Sequence, residues 1–256
     1  MTLTTHRFAS FDGVELAWHE IGPQNETAGR AVVLLHGYFS DAHTNWIKFG
    51  HAATLAEAGL RVVMPDLRAH GNSAKPHDAA AYPKDVLADD GFALIKHLGL
   101  IDYDLGGYSL GGRTVARMLV RGATPRRAII SGMGLRGLTE TQRRGAHFRA
   151  VFAGLGHHKQ GSPEWLAEAF LKTTGGDPVA LELILGSFVD TSEDALRALN
   201  VPLGMICGAD DHDNGSAAAL AEIVPGARYI EVPGNHMSAV AKPDLGQAFR
   251  DFLVAF

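Results

Sequence analysis

A serine sits between glycines at Gly107-Tyr108-Ser109-Leu110-Gly111. The glycines two before and two after it leave room for a strand and a helix to pack almost backbone to backbone. The turn between them lifts the Ser109 hydroxyl to where a base and a substrate can reach it. A hydroxyl is almost fully protonated near neutral pH, so as a nucleophile it needs a base, and the base needs an acid to orient it. Both types stand downstream. His236 ends Pro233-Gly234-Asn235-His236, and Asp211 ends Gly208-Ala209-Asp210-Asp211. Ser109, Asp211 and His236 occur in an order that one known solution to this problem uses. The Asp-Asp-His-Asp run leaves Asp210 and Asp213 as alternatives for the acid, and with no second cluster at ligand spacing no metal site is expected.

Such groups meet only if the chain brings loops far apart in sequence to one edge, and the rest of the pattern does this. Residues 6–10 and 14–21 alternate or nearly so around Asp12-Gly13, a hairpin signal. Ala31–Leu35 is wholly apolar, as a strand buried on both faces requires. Further strands are read at residues 60–64, 101–105, 127–131, 202–207 and 227–232, eight in all. Helices are read at 44–58, 83–98, 110–120, 215–223 and 243–255, the second with Gly99 as its stop. The sustained alternation predicts an α/β fold: a mostly parallel eight-stranded sheet with helices on both faces. Strand ends on one edge of such a sheet converge.

Between residues 132 and 200 the rhythm breaks. No buried strand is evident, and Ser162-Pro163 and Asp177-Pro178 each read as an N-cap with proline in the first helical turn. The expectation is a core domain from residues 1–132 and 201–256, with a helical lid inserted at 133–200 above Ser109.

The chain of 256 residues, 46% hydrophobic and 20% charged, suits one domain with a sizeable core. A net charge of −5 with no block of like charges gives no footprint for nucleic acid or an anionic membrane. No apolar run approaches the ~20 residues needed to span a bilayer, and the N-terminus has no apolar signal core, so a cytoplasmic protein is expected. The one cysteine, Cys207, lies in the apolar run VPLGMIC and reads as a core thiol.

Four motifs resemble the α/β-hydrolase fold superfamily, in its serine hydrolase and esterase branch: LLHGYFS at 34–40, DLRAHGNS at 66–73, GYSLGG at 107–112, and GADD with PGNH. The resemblance covers nearly the whole chain. It implies Ser109 as nucleophile, His236 as general base and then acid, and Asp211 as the orienting carboxylate. It also implies an oxyanion hole from the backbone N–H groups of Tyr38 and Leu110. His36 then packs under the oxyanion loop, and Asp66, Arg68 and His70 serve as scaffold. The reaction implied is acyl transfer on a small or medium carboxylic ester, with no cofactor, the small-molecule ester being the expected partner. Haloalkane dehalogenases and epoxide hydrolases share the fold but carry an aspartate where Ser109 stands; cofactor-free perhydrolase chemistry shares the serine.

Phe39, Arg113 and Trp165 are candidates for the substrate pocket, although the helical spacing around Trp165 equally suits core packing. The segment 132–160 carries Arg136, Arg143, Arg144, Arg149 and Lys159 against Glu140, which reads first as a solvated basic face and second as a draw for a carboxylate. GYSLGGR, ending at Arg113, also resembles the nucleophile motif of the pyruvate-eliminating synthase of menaquinone biosynthesis, a lyase on this fold. The chain departs from that family in HGYFS, which lacks its second glycine. A non-catalytic ligand receptor is the remaining alternative, one that would have no need of all three residues.

Overall fold

The computed structural model describes residues 2–22 and 29–255. Among them, strands β1 (Leu3–Ala9), β2 (Glu15–Ile21), β3 (Ala31–Leu35), β4 (Arg61–Pro65), β5 (Tyr103–Tyr108), β6 (Ala128–Ser131), β7 (Leu203–Gly208) and β8 (Arg228–Val232) form one sheet in the order β1-β2-β4-β3-β5-β6-β7-β8. The hairpin β1–β2 joins β4 antiparallel, and every later pairing is parallel. The five residues of β3 are all buried, whereas β1, at the edge, is exposed at six of its seven positions. The wholly apolar run thus occupies the centre because only there are both faces covered.

The alternation of strand side chains divides the interior in two. Val33, Leu35, Val63, Leu105 and Ile130 point into one core, with helices α2 (Val86–His97) and α3 (Leu110–Val120). Val32, Leu34, Val62, Met64 and Ile129 point into the other, against α1 (His51–Glu57) and the terminal α10 (Pro243–Val254).

Several expected boundaries move, among them the first strand, read at 6–10 and found at Leu3–Ala9, and three of the shifts have a local reason. The helix expected at 44–58 breaks into a π-helical turn, His43–Ile47, and α1, because Gly50 takes φ 82° between them. The helix expected from Pro83 begins at Val86, since Asp85 stands at φ 61° with its carboxylate held by Arg117 at 2.5 Å. The strand expected at 101–105 runs instead from Tyr103 to Tyr108. Register fixes this: Tyr103 pairs with Ala31 and Gly107 with Leu35, while Ile101 is left 90% exposed.

Between β6 and β7 the chain is helical: α4 (Leu135–Thr139), α5 (Thr141–Ala153), α6 (Pro163–Thr173), α7 (Pro178–Leu185) and α8 (Glu193–Arg197). The two proline-led starts form as read. Ser162 Oγ accepts from Trp165 N, and Asp177 Oδ1 accepts from Val179 N and Ala180 N. This segment reaches the loop after β3 directly, for Thr174 Oγ1 donates to Phe39 O at 2.6 Å and Tyr38 Oη donates to Leu181 O. After β7 comes α9 (Ala217–Ile223). Among the described residues no helix is long and apolar enough to cross a membrane.

The turn after β4 is held from inside by Arg68, which is fully buried. Its guanidinium bonds Asp90 on α2 at 2.7 and 3.0 Å and Asp12 of the hairpin turn at 2.6 and 2.9 Å. Arg68→Met removes one partner and leaves Asp90 a buried, uncompensated carboxylate, so we expect a loss of about 3–5 kcal/mol in urea unfolding. An unchanged midpoint would contradict a strut role for Arg68.

Candidate active site

Ser109 follows β5 and caps α3 with its backbone at φ 53° and ψ −111°, a conformation that costs a non-glycine residue about 1–3 kcal/mol. The packing around it imposes this. A Cβ on Gly111 would lie 1.9 Å from Leu35 O, one on Gly107 would lie 2.3 Å from Gly111 C, and one on Gly112 would lie 2.8 Å from Ser131 O. The glycines therefore let α3 sink against the ends of β3 and β6, where Ser109 N donates to Ser131 O at 2.8 Å.

The three residues expected to act together are brought together. Asp211 Oδ2 lies 2.8 Å from His236 Nδ1, and His236 Nε2 lies 3.0 Å from Ser109 Oγ. A carboxylate only accepts, so His236 Nδ1–H donates to Asp211, which leaves Nε2 bare to accept the Ser109 O–H. Burial works to raise the Asp211 carboxyl, but the hydrogen bond and charge of His236 and the N–H of Asp213 outweigh it and hold it below its ordinary value. Of the other acids, Asp210 is exposed and Asp213 pairs with Arg144 at 3.0 Å.

The loop after β3 turns beside the serine: a Cβ on Gly37 would be 3.5 Å from Ser109 Cβ. Two side chains fix it. His36, fully buried, donates from Nδ1 to Gly37 O at 2.8 Å and accepts Leu67 N–H on Nε2 at 2.9 Å. Asn45 Oδ1 accepts from Gly37 N at 2.9 Å. The N–H groups of Tyr38 and Leu110 have no acceptor among the described residues. Beneath the loop, Asp66 accepts from Ala42 N and Asn72 N and meets His19. Burial opposes the Asp66 charge, yet His19, the nearby His36 and the two N–H groups bring its carboxyl down to about 2.

Phe39 is buried and stacks on Tyr38, with Phe148 and Phe152 edge-on to it. Arg113, one helical turn after Ser109, is buried beneath the helical segment. Trp165 is not drawn into this aromatic cluster; it lies half-buried on α6, whereas Phe170 of the same helix packs on the core. Of the basic segment, Arg144 lies over Phe148 and Arg143 is an exposed partner of Glu140. Cys207 is a buried thiol that burial pushes up to about 12, in keeping with a core position. Among the described residues no group of three or more His, Cys, Asp or Glu could hold a metal ion.

Two residues were not singled out in the sequence. Tyr108, beside the serine, is buried, and its hydroxyl donates to His236 O at 2.7 Å, so the strand that carries Ser109 also holds the histidine loop. Asn45 is the other. A tyrosine inside G-x-S-x-G and an asparagine before a tryptophan carry no local signal of such roles.

A sequence profile of the α/β-hydrolase fold matches residues 30–134. A non-heme chloroperoxidase of Kitasatospora aureofaciens is 35% identical over 117 residues, 45% of this chain and 38% of that protein. The match thus spans well under half of that relative's length. Pyrrolizixenacetamide deacetylase of Xenorhabdus hominickii is 24% identical over 84% of this chain and 87% of its own. Among solved structures, the esterase RhEst1 from Rhodococcus sp. ECU1013 superposes with a TM-score of 0.74 at 23% identity, covering 98% of each chain.

His70 makes the neighbourhood of the loop after β3 sensitive to acid. Burial drives its imidazole down to about 3, helped by the adjacent His36, itself lowered by burial. Between pH 6.5 and 3 the unfolded chain binds a proton at His70 that the folded chain refuses, so stability falls with falling pH across that window. From pH 7 to pH 5 we expect a loss of about 2 kcal/mol from His70 alone in urea unfolding. A flat profile over that interval would contradict the buried neutral imidazole.

Proposed function

Because the chain belongs to the α/β-hydrolase fold superfamily, and because a serine stands at its nucleophile position, we propose that it is a serine hydrolase. Its substrate in this reading is a small-to-medium carboxylic ester. The observation that carries the reading is the unbroken hydrogen-bonded row from Asp211 through His236 to Ser109.

The chemistry follows from the protonation state of that row. His236 Nε2 takes the Ser109 proton as Oγ attacks the ester carbonyl, and the imidazolium formed is stabilised by Asp211. The carbonyl oxygen gains negative charge beside Tyr38 N–H and Leu110 N–H, each contributing about 3 kcal/mol to the transition state. His236 then gives its proton to the departing alcohol, which leaves an acyl group on Ser109. Water, deprotonated by the same nitrogen, attacks the acyl carbonyl and frees the acid and the serine. The reaction as written needs no metal or organic cofactor. The cluster of Tyr38, Phe39 and Phe148 supplies an apolar wall beside the serine.

Hydrolysis of p-nitrophenyl esters across acyl lengths tests the reading. Ser109→Ala should lower kcat by about 10⁴-fold or more, and turnover unaffected by the substitution would refute it. Tyr108→Phe should lower kcat roughly tenfold with KM unchanged, because the histidine loop loses its tie and drifts from the serine. Wild-type kcat in that variant would show that the Tyr108 bond does not position His236.

A further inference from the structure

Phe39 holds a left-handed backbone, with φ 61°. Ser40 N donates to Gly37 O at 3.2 Å, so residues 37–40 form a turn in which Phe39 stands third. Turns with a positive φ at the third position ordinarily place glycine there, because a side chain crowds the backbone. What the turn carries gives this strain a use. In the peptide that joins Gly37 to Tyr38, the C=O and the N–H point opposite ways. Gly37 O is held by His36 Nδ1 at 2.8 Å and by Ser40 N, so the turn also fixes where Tyr38 N–H points. In the hydrolase reading that N–H meets the oxygen that becomes charged.

His36 and Asn45 act on Gly37, whereas Phe39 is gripped by the helical segment between β6 and β7. Thr174, at the end of α6, has one hydroxyl proton and three carbonyls in reach: Phe39 O at 2.6 Å, Leu171 O at 3.2 Å and Phe170 O at 3.3 Å. The shortest bond takes the proton, and it crosses to the loop where a threonine would ordinarily turn back on its own helix. Phe148 and Phe152 of α5 stand edge-on to the Phe39 ring, 5.2 and 5.5 Å between centres. Tyr38 Oη donates to Leu181 O of α7, and burial raises this phenol well above its ordinary value, so it stays a donor. Helices α5, α6 and α7 thus all bear on two neighbouring residues of one strained turn.

We propose that Thr174 is a positioning residue for the reaction: its bond to Phe39 O keeps the strained turn in the shape that aims Tyr38 N–H at the substrate oxygen, with the Tyr38 hydroxyl as a second tie. The inference rests on the serine hydrolase reading and deepens it. The helical segment is then part of what holds the catalytic geometry. Without the Thr174 bond, Phe39 relaxes toward the negative φ that L residues favour, and the turn loosens. Tyr38 N–H then swings away from the oxygen. The loss falls on the transition state, where the charge develops, and leaves binding of the neutral ester nearly untouched.

Thr174→Val keeps the shape of the side chain and removes the donor. With p-nitrophenyl esters its kcat should fall roughly tenfold with KM changed by less than about twofold, and Thr174→Ser should restore kcat. A hexyl trifluoromethyl ketone supplies the second readout. Ser109 Oγ adds to its carbonyl carbon, the π pair of the C=O moves onto oxygen as an oxyanion, and His236 takes the serine proton, so the adduct needs the same N–H. Its inhibition constant should rise by about the same tenfold in Thr174→Val. Wild-type kcat in Thr174→Val, a fallen kcat with an unchanged inhibition constant, or a serine variant no better than the valine one would overturn the proposal and leave the hydrolase standing. If wild type shows no Ser109-dependent turnover, the hydrolase reading fails and ketone binding alone judges the tie. Weaker binding in Thr174→Val than in wild type supports it, and equal or absent binding overturns it. Should Thr174→Val not fold, Tyr38→Phe takes its place: a lower kcat with a raised inhibition constant supports the proposal, and either value unchanged overturns it.

Discussion

Ser109 keeps a left-handed backbone because helix α3 has sunk into the sheet until its first turn touches the carbonyls that end β3 and β6. Gly107, Gly111 and Gly112 make that approach sterically possible, and Ser109 N closes it by bonding Ser131 O at 2.8 Å. The strain stored there, about 1–3 kcal/mol, is held by the surrounding packing. Its effect is geometric. The Oγ turns outward to within 3.0 Å of His236 Nε2, while the N–H of Leu110 begins a helix and has no carbonyl to bond.

Everything else near the site is arranged to hold partners against that fixed point. The histidine loop is tied on one side by Asp211, from the end of β7, and on the other by Tyr108, from the strand that delivers the serine. The loop after β3 is clamped by His36 and Asn45, and Asp66 joins it to the turn after β4. These ties are hydrogen bonds between loops that follow different strands. Only the rigidity of a sheet with a packed core on each face keeps them within bonding distance.

The sequence displayed the parts whose demands are local. A wholly apolar Ala31–Leu35, a serine between glycines, and the proline-led helices at Pro163 and Pro178 announced themselves by composition and spacing alone. Elements governed by their neighbours did not. The true span of β5 depends on its register with β3, and the start of α2 depends on Asp85 reaching Arg117 across 32 residues. Tyr108 and Asn45 act through bonds to residues distant in the chain or to backbone atoms, which leave no mark in composition. Arg113 was visible as a residue, but its burial over Phe188, with no carboxylate among the described residues within 4.0 Å, is a property of the fold. Trp165 stood at a plausible spacing and ended half-buried on α6, outside the aromatic cluster, because α6 turns Phe170 rather than Trp165 to the core.

If Ser109 is an activated nucleophile, covalent capture shows it most directly, with no assumption about substrate. Folded protein would be treated with a fluorophosphonate, and the adduct located by intact mass and peptide mapping. We expect a single adduct on the peptide carrying Ser109, forming at least about a hundredfold more slowly in His236→Ala, where the hydroxyl has no base. An absence of adduct in the folded wild type, or equal labelling without His236, would contradict it.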